Sequence, residues 1–255
     1  MTGLDRGAIE PYMSIACQFM QHNCNISVIH QSLMKYGDES RHHAHDGEPG
    51  EFRQADEMNP AMRSPKTVAI VLAAGSGSRF TGGGHKLNAV MAGRGVYYWA
   101  LQAAIDADIG PVVLVTGAVE LTVSDPNVTV VHNTEWTSGL ASSLQIGIAA
   151  ARRQGAEAVV VGLADQPLVR ASAWQAVAAS SSPIAVATYR TKRGNPVRLH
   201  AEIWPTLPTT GDEGARSVLR IYKNLVEEVP CEGSSSDIDT VEDLERINNK
   251  PGTRN

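Results

Sequence analysis

From residue 72 to residue 86 the chain reads Leu-Ala-Ala-Gly-Ser-Gly-Ser-Arg-Phe-Thr-Gly-Gly-Gly-His-Lys. Glycines in such a segment let backbone N–H groups approach phosphate oxygens with no Cβ in the way. Arg79 and Lys86 add fixed positive charge where a polyphosphate would lie. The spacing excludes a Walker loop, because Lys86 follows His85 and precedes Leu87. It also departs from the dinucleotide fingerprint, since Phe80 stands where the third glycine of Gly-x-Gly-x-x-Gly belongs. The plain structural alternative is a turn with nothing bound.

Further along, Leu163-Ala164-Asp165-Gln166-Pro167 ends an apolar run. A carboxylate at the end of a buried strand is costly unless it is paired or bound to a cation; the simpler role for Asp165 is an Asx-turn before Pro167. Residues 136–147 form a small-residue turn entering a helix. Its first-turn N–H groups and the hydroxyls of Ser142 and Ser143 can serve a base or a ribose, and Ser138 is the expected helix cap. Near the end of the chain, Thr240 and Asp243 have capping-box spacing. Asp237 stands just before it, free to face a site. Two weaker metal patterns lie near the N-terminus, His42-His43-x-His45-Asp46 and Cys17 with His22 and Cys24. Short His-rich tracts in flexible segments often bind nothing specific.

These residues need a scaffold, and the apolar pattern supplies one. Continuous apolar runs at 67–74, 111–116, 128–132, 157–163 and 184–188 read as buried strands, with 196–199 pairing nearby and a further strand at 225–229. Helices are expected at 94–108, 139–153, 171–180, 212–223 and 240–248. Buried strands alternating with helices give right-handed crossovers and a mostly parallel sheet covered on both faces. The fold class is α/β, and ligands in such folds bind beyond the carboxyl ends of the strands, where the glycine-rich segment lies.

Composition agrees. The 255 residues are 42% hydrophobic, enough for a core, with a net charge of -5. That balance argues against a nucleic-acid-coating protein. Three cysteines without zinc spacing argue against a disulfide scaffold and for a reducing, cytoplasmic compartment. No apolar run is long enough to span a membrane. Residues 1–66 are of different character: they hold five of the eight histidines and a charge of -3. They read as a poorly ordered extension, with Met62 a candidate translation start. Residues 67–250 form the domain, and 251–255 a tail.

Residues 72–79 followed by Lys86 resemble the signature of the MobA-like nucleotidyltransferases. Five further segments fall in that family's order: 136–147, 163–167, Arg193-Gly194-Asn195-Pro196-Val197, Gly211-Asp212-Glu213-Gly214-Ala215-Arg216, and 237–244 (Asp-Ile-Asp-Thr-Val-Glu-Asp-Leu). The resemblance implies a Rossmann-like three-layer α/β/α fold. It places Leu72, Ala73, Ala74, Gly75, Ser76, Gly77, Ser142 and Ser143 against the nucleotide. Arg79 and Lys86 would hold its triphosphate. Asp165, with Asp237, would coordinate Mg2+. Gln166, Gly194, Asn195, Pro196, Asp212 and Arg216 would face the acceptor.

Within the family the segments look most like molybdenum cofactor cytidylyltransferase. This implies transfer of CMP from CTP to the phosphate of molybdopterin, release of pyrophosphate, and hand-over to molybdenum hydroxylases. Three other readings stay open: GTP or another phosphate acceptor, an NAD(P)-dependent oxidoreductase of the nicotine blue oxidoreductase type, and a non-catalytic cofactor carrier. The chain departs from the family pattern in one place. Phe80 replaces a methionine, and Lys86 follows Arg79 by seven residues, a longer spacing than is usual, with Gly82, Gly83 and Gly84 between them.

Overall fold

The computed structural model describes residues 66–249. A seven-stranded sheet runs in the order β5-β4-β1-β6-β8-β7-β9. Its strands are β1 (Thr67–Ala73), β4 (Val112–Thr116), β5 (Val128–His132), β6 (Ala158–Leu163), β7 (Ile184–Tyr189), β8 (Lys192–His200) and β9 (Val226–Pro230). All neighbours pair in parallel except β8, which is antiparallel to both β6 and β7. The expected strand at 196–199 is therefore the far half of a longer one, turned back from β7 at Arg190, whose φ is 62°.

The alternation along β1 builds two cores, because successive side chains of a strand point to opposite faces. Val68, Ile70 and Leu72 pack with Leu144 and Ile148 of helix α2 (Leu140–Arg153). Ala69, Val71 and Ala73 pack with Leu101 of α1 (Val96–Asp106) and Trp174 of α3 (Ala171–Ala178). Helices thus cover both faces of the sheet. The α2 helix lies close to the sheet: a Cβ on Gly147 would stand 2.8 Å from Ile70 Cγ2. Among the described residues the other α-helices are α4 (Arg216–Ile221) and α5 (Val241–Asn248).

Three boundaries differ from the sequence expectation, each for a local reason. The helix expected at 94–108 starts at Val96 because Arg94–Gly95 (β3) pairs with Val90–Met91 (β2) around a turn at Ala92 and Gly93, both at positive φ. The helix expected at 212–223 is only α4, because Gly211 and Gly214 hold φ of 88° and 51° and keep the preceding segment out of helix. Ser138 is not the cap of α2. Gly139 holds that position with no side-chain cap of its own, and Asp212 Oδ1 accepts from Leu140 N across the loop at 3.4 Å. The patterns at Cys17, His22, Cys24, His42, His43, His45 and Asp46, and the candidate start at Met62, lie outside the described residues. Among the described residues, no helix is long and apolar enough to cross a membrane.

Candidate active site

The β1 strand ends at Ala73, and the chain turns through the glycine-rich loop into a short 3-10 turn, Lys86–Asn88. His85 closes the base of this loop. Its Nδ1 accepts from Leu87 N at 3.2 Å, so Nε2 carries the proton and donates to Gly75 O at 2.8 Å. The ring joins both ends of the loop and fits beneath Gly77, where a Cβ would come within 3.2 Å of His85 Nε2 and 3.1 Å of Lys86 Cγ. Phe80 packs in a small cluster with Met91, Ile238 and Leu244, anchoring the loop against α5. Gly83 and Gly84 have positive φ, and a Cβ on either would meet nothing within 4 Å. The extra length of the loop is spent outside the site, and Lys86 still reaches inward.

Lys86 is 8% exposed. Its Nζ donates to Asp165 Oδ2 at 2.6 Å and to Asp239 Oδ1 at 2.9 Å. The other oxygen of Asp239 pairs with Arg79 at 3.0 Å. Burial alone would lower the Lys86 pKa; the two carboxylates outweigh it and hold the ammonium above its ordinary range. Asp165 leaves the end of β6, and its backbone carbonyl accepts from Ile238 N at 2.9 Å, tying the two acidic segments together. Asp165 Oδ1 is buried with no hydrogen-bond partner.

That orphaned oxygen is the structural test for a divalent cation. A buried carboxylate oxygen without a donor is unfavourable, and a hard cation with oxygen ligands would satisfy it. Among the described residues, no three His, Cys, Asp or Glu side chains gather into a ready-made cage. The arrangement suits an ion that takes one or two carboxylates and completes its shell with water and phosphate.

Asp237 lies beside this group and takes part in a different chain of contacts. It accepts from Gln166 Nε2 at 2.5 Å; Gln166 Oε1 accepts from Asn195 Nδ2 at 3.1 Å; and Tyr189 donates to Asn195 O at 2.8 Å. Desolvation pushes the Asp237 carboxyl above its ordinary range, and the charges of Asp165 and Asp239 add to this, against the Gln166 hydrogen bond.

Two cavities meet at this point. One, of about 460 Å3, is walled by Leu72 to Arg79, Lys86, Ser143, Asp165 and Asp239. The other, of about 520 Å3, takes in Gln166, Gly194, Asn195, Arg216 and Asp237. Leu72, Leu140 and Leu163 belong to both walls. The residues expected at a nucleotide line the first cavity, except Ser142. Its hydroxyl is directed to Gly139 O at 2.8 Å and accepts from the buried Asn133 at 2.9 Å. Of the residues expected at an acceptor, Pro196 is buried and lines neither cavity, and Asp212 lines the first.

Sequence reasoning passed over Asp239, His85 and Asn133. The Asp-x-Asp spacing at 237–239 was a signal for the first. For Asn133, whose amide also donates to Ser143 Oγ at 2.9 Å, no local pattern exists.

The MobA-like NTP transferase domain, as a family, matches residues 69–229. The chain belongs to this family. The chain is also similar to curated relatives that carry other names. Nicotine blue oxidoreductase of Paenarthrobacter nicotinovorans is 32% identical over 200 residues, covering 72% of this chain and 97% of the relative. Purine catabolism protein PucB of Bacillus subtilis (strain 168) is 26% identical over 202 residues, covering 73% and 98%. Among solved structures, Rv0371c from Mycobacterium tuberculosis H37Rv shares the fold with a TM-score of 0.64 at 23% identity, covering 74% of this chain and 100% of that one. A second structure of Rv0371c is a complex with manganese, with a TM-score of 0.57 at 23% identity, covering 71% and 97%. The MobA-like chain described here thus has the α/β nucleotidyltransferase fold.

Proposed function

We propose that the protein is a Mg2+-dependent cytidylyltransferase that transfers CMP from CTP to the phosphate of a molybdopterin-type cofactor and releases pyrophosphate. The observation that carries this reading is the buried Lys86, clasped by Asp165 and Asp239 in the wall of the first cavity, which adjoins the second along Leu72, Leu140 and Leu163. A group bound in one cavity would face a group bound in the other across that shared wall.

In this reading the first cavity holds the nucleotide, with the glycine-rich loop around its phosphates and Ser143 on the nucleoside side. An oxygen of the acceptor phosphate, in the second cavity, forms a bond to the α-phosphorus. The bond from that phosphorus to the bridging oxygen breaks, and pyrophosphate leaves with the electron pair. No protein nucleophile is needed, because positioning and charge stabilisation carry such transfers. Lys86 and Arg79 neutralise charge on the α-phosphate and on the departing pyrophosphate. Asp165 and Asp237 would hold Mg2+, which supplies charge neutralisation across the phosphates when bound. Gln166, Asn195 and Arg216 would hold the acceptor. The product would pass to molybdenum hydroxylases in the cytoplasm.

The test is pyrophosphate release from CTP, GTP, UTP and ATP, each with Mg2+ and molybdopterin cofactor. Release with CTP that is lost in Asp165→Ala supports the reading. Release with GTP alone moves the assignment to guanylyl transfer, and folded protein silent with all four overturns it.

The relative named an oxidoreductase favours a second reading, a reductase using NAD(P)H. Phe80 weighs against it, since its ring fills the place of the third fingerprint glycine and packs toward α5. Oxidation of NADPH, followed by absorbance, discriminates between the two.

A further inference from the structure

The phosphate-binding cations of the first cavity are already occupied by the protein itself. Arg79 and Lys86 bring two positive charges to its wall; Asp165, Asp212 and Asp239 bring three negative ones. A polyanion entering this space meets a net negative surface, and one side chain holds both cations. Asp239 offers one carboxylate oxygen to Lys86 at 2.9 Å and the other to Arg79 at 3.0 Å. Two oxygens of one phosphate would take the same two positions.

The carboxylate is also held firmly. Its backbone N–H donates to Asp243 Oδ2 at 3.2 Å, at the start of α5, and its neighbour Ile238 is fully buried and bonded to Asp165 O. Asp239 is therefore not a loose surface acid that drifts into contact.

We propose that Asp239 is an internal counter-anion: it occupies the phosphate-binding cations of the nucleotide-free protein, so that a triphosphate binds strongly only together with a divalent cation. A phosphate chain arriving alone takes Arg79 and Lys86 from Asp239 and leaves that carboxylate, and Asp165 beside it, without positive partners. A divalent cation arriving with it replaces the charge they lose. Each ligand thereby raises the affinity for the other, and the linkage is reciprocal. Empty protein keeps its cations neutralised and binds free polyanions poorly.

The inference rests on the first cavity being a triphosphate site, and not on the choice of base or acceptor. The probe is accordingly inorganic tripolyphosphate, which has neither. Its binding to the full chain is measured by calorimetry at fixed ionic strength, with and without Mg2+. Wild-type protein is expected to bind it about tenfold or more tightly with Mg2+, within the usual range of coupling between two sites. Asp239→Asn should bind metal-free tripolyphosphate about tenfold more tightly than wild type and respond less to Mg2+. Asp212→Asn removes the same charge from the same wall but touches neither cation, and should change metal-free binding far less.

Equal metal-free and Mg2+-supported affinity in wild-type protein overturns the proposal without any variant, so it remains testable if Asp239→Asn does not fold. So does equal gain in the two variants, which would make the effect one of net charge. Absence of binding to every protein under both conditions overturns the triphosphate reading of the cavity, and this inference with it.

Discussion

Asn195 donates its side-chain amide to Oε1 of Gln166 at 3.1 Å, and this contact decides which end of Gln166 faces Asp237. With the carbonyl end taken, the Gln166 NH2 group is left to donate to the Asp237 carboxylate at 2.5 Å. The residue after Asp165 thus joins the edge of the first cavity to the second.

Replacing Gln166 should disturb Asp237 before anything else. In Gln166→Met the carboxylate loses its donor, and its titration should move further above the ordinary value of 3.8. In Gln166→Glu a second negative charge faces it. A hydrogen bond to a charged group contributes about 1.5–3 kcal/mol, so pyrophosphate release should fall roughly ten- to a hundredfold. Carbon-detected NMR titration of Asp237 is the direct check: an unchanged curve in Gln166→Met means that the contact does not govern the acid.

Lys86→Ala should cost both activity and stability. Loss of one such charge contact at a transferring group typically lowers rate by ~10²–10³. The substitution also leaves Asp165 and Asp239 facing each other without their shared partner, and an uncompensated charge in a half-buried site is destabilising. Asp165→Asn in the Lys86→Ala background should recover part of the lost melting temperature while restoring no turnover. A double variant less stable than Lys86→Ala itself contradicts this account.

The frame of the protein was open to reading from its periodicity, because the apolar runs that became β1, β4 and β6 are buried on both faces of a sheet. The antiparallel course of β8 was not. Pro196–Leu199 offered only a short apolar stretch, and the polar first half of the strand, Lys192 to Asn195, hid the hairpin that returns directly from β7. The site divided in the same way. Lys86, Arg79 and Asp165 stand in local patterns that name their chemistry. Asp239 stands in an Asp-x-Asp pattern, but its pairing with two cations more than 150 residues upstream is made only by the folded chain. Ser142 and Ser143 are indistinguishable as letters, both lie in the first turn of α2, and both accept from the buried amide of Asn133; the turn of the helix puts Ser143 on the cavity wall and directs the Ser142 hydroxyl to the carbonyls of Glu135 and Gly139.

Stability near the site should depend on pH in a direction set by Asp237. Its pKa is raised in the folded protein, so the folded state binds that proton more tightly than the unfolded chain. The contribution of this group to stability therefore falls as pH rises from its unfolded value of 3.8 through the folded value. Asp237→Asn removes the group, and the variant should gain on wild type across that interval. Denaturant unfolding at a series of acidic pH values measures the difference; a gap independent of pH defeats the prediction.

The start of α5 shows the opposite sign. Thr240 Oγ1 accepts from Asp243 N at 3.2 Å, and the Asp243 carboxylate accepts from Thr240 N at 3.0 Å, the reciprocal pair of a capping box. Desolvation works against the Asp243 charge, but the backbone and side-chain donors of Asp239 and Thr240 hold its pKa below the ordinary value. This contribution is present above 3.8 and is lost as pH falls through the folded value. Thr240→Ala should cost about 1 kcal/mol at neutral pH. Asp243→Asn should flatten the acid limb of stability, and thermal melts across that range read both effects.

Strands β5, β4, β1 and β6 lie side by side and are all encoded before residue 164. A ribosome releases the chain from its N-terminal end, so this half of the sheet can join while the remainder is still being made. It already carries the glycine-rich loop and Lys86, and Asp165 follows two residues after β6 ends. The strand that covers the open edge of β6 is β8, made only after β7, and Asp239 emerges later still. During synthesis, then, Arg79 spends a period without the carboxylate that later holds it. Until the later part of the chain arrives, the half-built sheet exposes Arg79 and Lys86 without the Asp239 carboxylate that neutralises both in the finished fold.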